Sequence, residues 1–279
     1  MDALHNQVFT PSTLAELYAS WARFPDSVLY AGGTEIARTQ GGRTLHLPRN
    51  ILSLSRIEEL RRISRTERYL EIGAMVTLDE ILSLGKIVPE ALRKALQDAA
   101  NPQVRNLATI GGNLSCAARR MDAFAPLAAL DARLELRTAT LSRWVAAARF
   151  APAFGPPLLA EQELLSRIRI PLEAWDYVVH RRLGTARWPD DEGGVFTFIA
   201  RAQKGILSEV RLVFAGVALI RDREIDTEIV GKSLPLARRD ALAFVDLWRE
   251  RLKEAEYPTG ILKNQVLNLA EYAALGLTD

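Results

Sequence analysis

A chain of 279 residues that is 48% hydrophobic and 25% charged has the balance of an ordinary globular protein, with length enough for two domains. Its 36 basic and 34 acidic residues leave a formal charge of +2, and the basic ones come as scattered pairs such as Arg61-Arg62 and Arg238-Arg239, which makes no stripe for nucleic acid or an anionic membrane. No apolar run approaches the roughly 18 residues of a membrane span, and MDALHNQVFTP lacks a signal core, so the expectation is cytoplasmic; one cysteine, Cys116, excludes an internal disulfide and an iron–sulfur cluster held by this chain alone.

After an extended start at residues 7–10, Pro11-Ser12-Thr13 opens a helix, with Thr13 and Glu16 spaced as a capping box and Leu14, Leu17, Tyr18 and Trp21 on one face. Phe24-Pro25-Asp26 ends it. A strand at 27–30 runs into AGGTEI (31–36) and completes a small β-α-β start. Leu45-His46-Leu47 and residues 51–54 suggest a further strand or two, so 1–55 reads as one compact lobe. Residues 69–73 look like a strand, and Thr77 with Glu80 caps a short helix through Leu84.

The next helix carries Pro89 in its first turn and Ala95, Leu96 and Ala99 on its buried face, and Asn101-Pro102 stops it. A short strand, 107–110, then leads into Gly111-Gly112. These glycines can take backbone angles closed to other residues, so that two or three N–H groups point at one anion, with Thr109 and Asn113 at the rim. Residues 133–150 alternate poorly. Pro171 is the best domain boundary. Beyond it, 195–200 and 209–219 suit an antiparallel sheet with one covered face. Two helices would cover it: 237–256, with Leu242, Val245, Trp248 and Leu252 as its stripe, and 261–274.

A single Gly-Gly pair is more often a turn than a ligand site. Two of them, each between an apolar strand and a polar residue, could grip the two phosphates of one dinucleotide. Competing motifs fail. The Rossmann spacing G-x-G-x-x-G is absent. Gly231-Lys232-Ser233 mimics the end of a P-loop, but Asp226 stands where its first glycine is required. His5, His46 and His180 have no second ligand at metal spacing, and no G-x-S-x-G elbow is present.

AGGTEI, EIGAMVTLDEI (71–81) and NPQVRNLATIGGN (101–113), in that order, resemble the flavin-binding subunit of the molybdenum hydroxylases, the family of the xanthine dehydrogenases and aerobic carbon monoxide dehydrogenase. The likeness continues through ELLSRIRIP (163–171) to RRLGTAR (181–187). It implies an α+β fold: a two-lobed PCMH-type FAD-binding domain, residues 1–171 with lobes of about 1–55 and 56–171, then a carbon monoxide dehydrogenase flavoprotein C-terminal-like domain, 172–279. In the family the flavin lies between the lobes. Leu29, Tyr30, Ala31, Gly32, Gly33, Thr34, Glu35 and Ile36 would wrap the pyrophosphate and ribose. Ala108, Thr109, Gly111, Gly112 and Asn113 match positions near the flavin and its phosphates. Asp122, thirteen residues after Thr109, matches an acid that contacts the adenosine ribose, and Leu165 a flavin-packing leucine.

The chain departs from the family in two places. Ala118-Arg119-Arg120 replaces a frequent Ser-Pro, so that two charges enter the loop and could reach phosphate or face a partner. A lysine that relatives place near the isoalloxazine aligns with His180-Arg181-Arg182. The implied function is an FAD-binding electron-transfer subunit, no side chain of which need act as acid or base. It would work beside an iron–sulfur subunit and a molybdopterin-binding large subunit and pass electrons to NAD or another acceptor. A self-contained FAD reductase, such as the cell-wall UDP-sugar reductase, would need a substrate pocket and a proton donor within this chain. A flavin-free assembly subunit that kept the fold is a third reading.

Overall fold

The computed structural model describes residues 6–40, 46–117, 119–152, 154–184 and 193–278; His5, Leu45, Ala118 and the GTAR end of RRLGTAR beyond Gly184 fall outside them. Among the described residues, three sheets and ten α-helices make an α+β architecture. No described helix is long and apolar enough to cross a membrane.

The first sheet holds β1 (Gln7–Phe9), β2 (Val28–Tyr30) and β3 (Asn50–Ser53), all parallel, in the order β1-β3-β2. Helix α1 (Leu14–Arg23) crosses between β1 and β2, and Leu14, Leu17 and Tyr18 pack on Leu52, Ile57 and Leu60. Its cap is half of the expected box. Thr13 accepts from the Glu16 amide at 3.1 Å, but the Glu16 carboxylate reaches one residue further back, to the Ser12 amide at 2.8 Å. Helix α2 (Thr34–Gln40) follows AGG directly. The expected strand at 45–47 does not form in its described part, His46 and Leu47.

The second sheet has five antiparallel strands in the order β4-β5-β8-β6-β7: β4 (Ile63–Arg65), β5 (Tyr69–Gly73), β6 (Arg133–Arg137), β7 (Ser142–Ala146) and β8 (Leu164–Pro171). The poorly alternating 133–150 region is thus a regular hairpin. Residues 133–137 do alternate, with the polar Glu135 buried on the far face and its carboxylate accepting from Ser166 Oγ at 2.8 Å, and the irregular part is the alanine run that ends the hairpin in a short turn at 147–149. Helix α3 (Leu78–Ser83) carries the full Thr77/Glu80 capping box. Helix α4 (Glu90–Asp98) buries Ala91, Leu92, Ala95 and Leu96, each leucine contributing roughly 1.5–3 kcal/mol. It stops at Asp98, and Ala100 turns the chain at φ +51°. Asn101 therefore ends nothing: its side chain accepts from the Val104 amide at 2.9 Å, and Pro102 starts the one-turn helix α5 (Pro102–Arg105).

The strand expected at 107–110 is absent. Leu107 lies in a turn, Thr109 makes one isolated bridge to Thr77, and Ile110 opens helix α6 (Ile110–Leu114). Helix α7 (Phe124–Ala129) is wholly buried.

Strands β9 (Tyr177–Leu183), β10 (Gly194–Gln203), β11 (Ile206–Ala215) and β12 (Leu219–Arg221) form the third sheet, antiparallel throughout, followed by helix α8 (Arg223–Thr227). Both of its faces are covered, not one. Phe196, Phe198, Leu212 and Phe214 meet helices α9 (Arg238–Lys253) and α10 (Gly260–Leu275), while Val195, Ile199, Val213 and Ala215 join the core of α4, α7 and the second sheet. The α9 stripe is Ala241, Phe244, Val245, Trp248 and Leu252; Leu242 remains 37% exposed because six residues before Trp248 is off that face.

Candidate cofactor-binding site

A cavity of about 770 Å³ opens where α2, α3, α5, α6, the loop to Asp122 and the rim of the third sheet meet. That is within the range of small-ligand sites. Of the residues expected to hold a ligand, Leu29, Ala31, Gly32, Gly33, Thr34, Glu35, Ile36, Ala108, Thr109, Gly112, Asn113 and Asp122 line it. Tyr30, Gly111 and Leu165 stand off its wall. Tyr30 backs the first turn with its hydroxyl, Gly111 packs on Ala74, and Leu165 is in the core under the second sheet, opposite Leu136.

The two Gly-Gly segments are brought together by contact. A Cβ on Gly32 would lie 1.9 Å from the carbonyl oxygen of Leu107, so only glycine lets the two loops touch. Gly33 follows at φ +68°, which turns the chain into α2. None of the amides from Gly32 to Ile36 has a partner among the described residues. Five consecutive N–H groups on the cavity wall make a cradle suited to an anion.

The second segment differs from expectation. Its glycines are helical and neither has a positive φ. Its amides are already engaged: Ile110 donates to Val76 O (3.0 Å), Gly111 to Ala74 O (2.8 Å), Gly112 to Thr109 Oγ1 (3.1 Å) and Asn113 to Thr109 O (2.9 Å). They form no anion nest. Gly111 lets the helix settle on Ala74, since its Cβ would meet that side chain at 2.6 Å. A Cβ on Gly112 would approach only Thr109 Oγ1, at 3.0 Å, and would otherwise stand in the cavity. Asn113 holds the loop's far end by accepting from the Ala123 amide at 3.2 Å.

Charges on the wall come in matched sets. Glu35 takes both Arg38 Nε (2.7 Å) and a terminal guanidinium nitrogen (2.5 Å), and the Cys116 thiol lies 3.7 Å from it, so its charge is offset beside the open amides. Asp122 is 7% exposed, and its Oδ1 lies 3.0 Å from Arg182 Nε. Burial raises its carboxyl pKa above the ordinary value, although Arg182 and Arg119 pull the other way. It is not a solvated loop acid. Of the His180-Arg181-Arg182 stretch, among which the sequence did not choose, Arg182 lines the cavity. The RRL stretch was its only signal.

The neighbours of Arg182 turn elsewhere. His180 is buried 3.6 Å from Asp98, and burial lowers its pKa to about 4, so it is neutral at pH 7. Arg120 also lines the cavity but is 3% exposed; it donates to Pro152 O (2.6 Å) and Gly155 O (2.9 Å) and stacks over Phe124. Its own amide donates to Gly216 O at 2.6 Å, which ties the loop to the third sheet. Arg119 lines the cavity with Nε 3.1 Å from Met121 Sδ.

Residues 4–173 match the family model described as the FAD binding domain in molybdopterin dehydrogenase. The "Xanthine dehydrogenase FAD-binding subunit" of Escherichia coli O157:H7 is 29% identical over 230 residues, covering 81% of this chain and 78% of that protein. "Xanthine dehydrogenase 2" of Arabidopsis thaliana is 27% identical over 248 residues, 81% of this chain but 18% of that much longer protein. Among solved structures, carbon monoxide dehydrogenase from Hydrogenophaga pseudoflava superposes with a TM-score of 0.83 at 23% identity, covering 98% of this chain and 97% of that one, a likeness of fold. The open cradle, the paired charges and the cavity's size fit a dinucleotide carrying a pyrophosphate. The chain belongs to the FAD-binding family of the molybdopterin dehydrogenases: it is an oxidoreductase flavoprotein, and its cofactor is FAD.

Proposed function

We propose that this chain is the electron-transfer flavoprotein of a multi-subunit molybdenum hydroxylase. It would receive reducing equivalents from the iron–sulfur clusters of one partner, fed by a molybdopterin-binding large subunit, and deliver them to NAD or another acceptor. The observation that carries the reading is the cavity beside the contact of Gly32 with Leu107, which is lined by two matched segments from distant parts of the chain.

Bound FAD supplies the electron exchange, and the protein supplies position and electrostatics. The amides of Gly32 to Ile36 would hold the pyrophosphate, with Arg119 as the nearby cation. Thr109, Gly112 and Asn113 would form the opposite wall, where Gly112 leaves room for the ligand. Asp122, held by Arg182, is a hydrogen-bond acceptor for ribose hydroxyls. The division at Pro171, into a two-lobed domain of residues 1–171 and a second domain of 172–279, and a cytoplasmic location belong to the same reading.

The experiment has two parts. Acid extraction of the yellow protein should release FAD and not FMN. Purification from the native source should bring down the partner subunits, and stopped-flow reduction of the flavin should require them. Turnover of a small organic substrate with NAD(P)H by the isolated chain, at about 1 per second or faster, would replace the relay with a self-contained reductase.

A further inference from the structure

A second cavity, of about 500 Å³, lies between the segment that follows β7 and the start of α8. Asp131, Arg149, Arg221 and Arg223 supply its polar wall, and alanines with Leu219 the rest. It shares no lining residue with the cofactor cavity.

The charges here are out of balance. The Asp131 carboxylate takes Arg211 at 2.9 Å, Arg221 at 2.9 Å and Arg223 at 2.6 Å. Glu209 is shared between Arg211 and Arg201, and lies 4.0 Å from Arg223. Arg149 reaches the cavity from the other side, exposed, with no acidic partner among the described residues. Asp131 and Glu209 thus serve three guanidiniums between them while Arg201 also draws on Glu209, and Arg149 lines the same cavity with no acidic partner among the described residues. Arg221 is the most buried of the three that line the cavity, and burial, with Arg223 beside it, weakens its hold on the proton.

We propose that this cavity binds a phosphoryl oxyanion, free or carried on a small organic body. Planar guanidinium forks match the oxygens of phosphate and form charge-assisted hydrogen bonds with them. An anion between Arg149, Arg221 and Arg223 supplies the negative charge that Asp131 alone cannot. The volume is in the small-ligand range, and the alanine wall leaves room for an apolar body beside the charged group.

The test is calorimetric titration of the full chain, at constant ionic strength set with chloride, using inorganic phosphate in one arm and ribose 5-phosphate in the other. Saturable binding is expected, and whichever probe binds more tightly identifies the source of the oxyanion. Arg149→Gln should weaken it about tenfold, as loss of one charge-assisted contact does. Since Arg149 is exposed and unpaired, this variant should melt like the parent. Asp131→Asn should act in the opposite sense and tighten binding about tenfold, because it removes the competing carboxylate; asparagine tolerates the φ of +51° found there. Affinity weaker than about 10 mM, or binding unchanged in Arg149→Gln, overturns the proposal. So does weakened association of Arg149→Gln with co-purifying subunits in the absence of phosphate binding, which would make the groove a docking surface for an acidic partner.

Discussion

Gly32-Gly33 and Gly111-Gly112 stand in matched surroundings, with an apolar stretch before and a polar residue after, yet their four glycines answer four separate needs. Gly32 permits contact with the Leu107 carbonyl, Gly33 a positive φ, Gly111 packing on Ala74, and Gly112 an empty place on the cavity wall. The amides divide the same way. In the first segment they are open; in the second, every one from Ile110 to Asn113 is bonded within the fold. The same sequence pattern therefore gives a cradle once and a wall once, and which it gives depends on whether neighbouring carbonyls, like those of Ala74 and Val76, and a cap, like Thr109, take up the amides.

The largest effect should come from Gly32→Ala. Its Cβ meets backbone, which cannot swing away, so the contact between the lobes must open at a cost of about 3 kcal/mol or more. Denaturant melts and the flavin spectrum should change together, and a variant as stable and as yellow as the parent would refute the close approach. Gly112→Val should separate the two properties: FAD affinity should fall at least about a hundredfold, equal to roughly 2.7 kcal/mol, while the helix-compatible backbone keeps the chain folded. Unchanged affinity would remove Gly112 from the ligand's wall.

A reference away from both segments sharpens that separation. Asp226 is 1% exposed, accepts from the Leu212 amide at 3.2 Å, and burial pushes its pKa up from 3.8 to about 8. Between those values the folded chain keeps a proton that the unfolded chain has lost, so this group makes stability fall as pH rises. Asp226→Asn retains an acceptor for Leu212 and should flatten the fall between pH 5 and 8 by about 3–4 kcal/mol, read from urea melts. Gly112→Val protein should keep the parental slope if the third sheet is intact. The smallest effect belongs to Thr109→Ala, which removes the cap on Gly112 and should cost about 1 kcal/mol, with Thr109→Ser restoring most of it; an alanine variant that melts like the parent would show that packing on Ala74 alone holds α6.

Local signals made α1, α3 and the third-sheet strands readable: Thr13 and Thr77 at their caps, and long apolar runs at 195–200 and 209–219. Helix α6 was not readable, because IGGNL has poor helix propensity and depends on Thr109 and on tertiary packing. The second covered face was signalled but read too narrowly. VFTFIA is nearly continuous in apolar residues, the mark of a strand buried on both sides. The cavity's first half was legible as a glycine pair. The roles of Arg182 and Arg120, both singled out in the sequence, were not, since a charged side chain reveals nothing locally about whether it will pair with Asp122 or with the carbonyls of Pro152 and Gly155.

The double covering of the third sheet also bears on the order of synthesis. Helices α4 and α7 leave the ribosome well before β10 and β11, so the apolar face of Val195, Ile199, Val213 and Ala215 meets a ready surface as it emerges. A gene cut after Pro171 would lose that timing. The separate product 172–279 would bare those four side chains to water and should aggregate unless 1–171 is made alongside it; the two halves are distinct as sheets but share one assembly event.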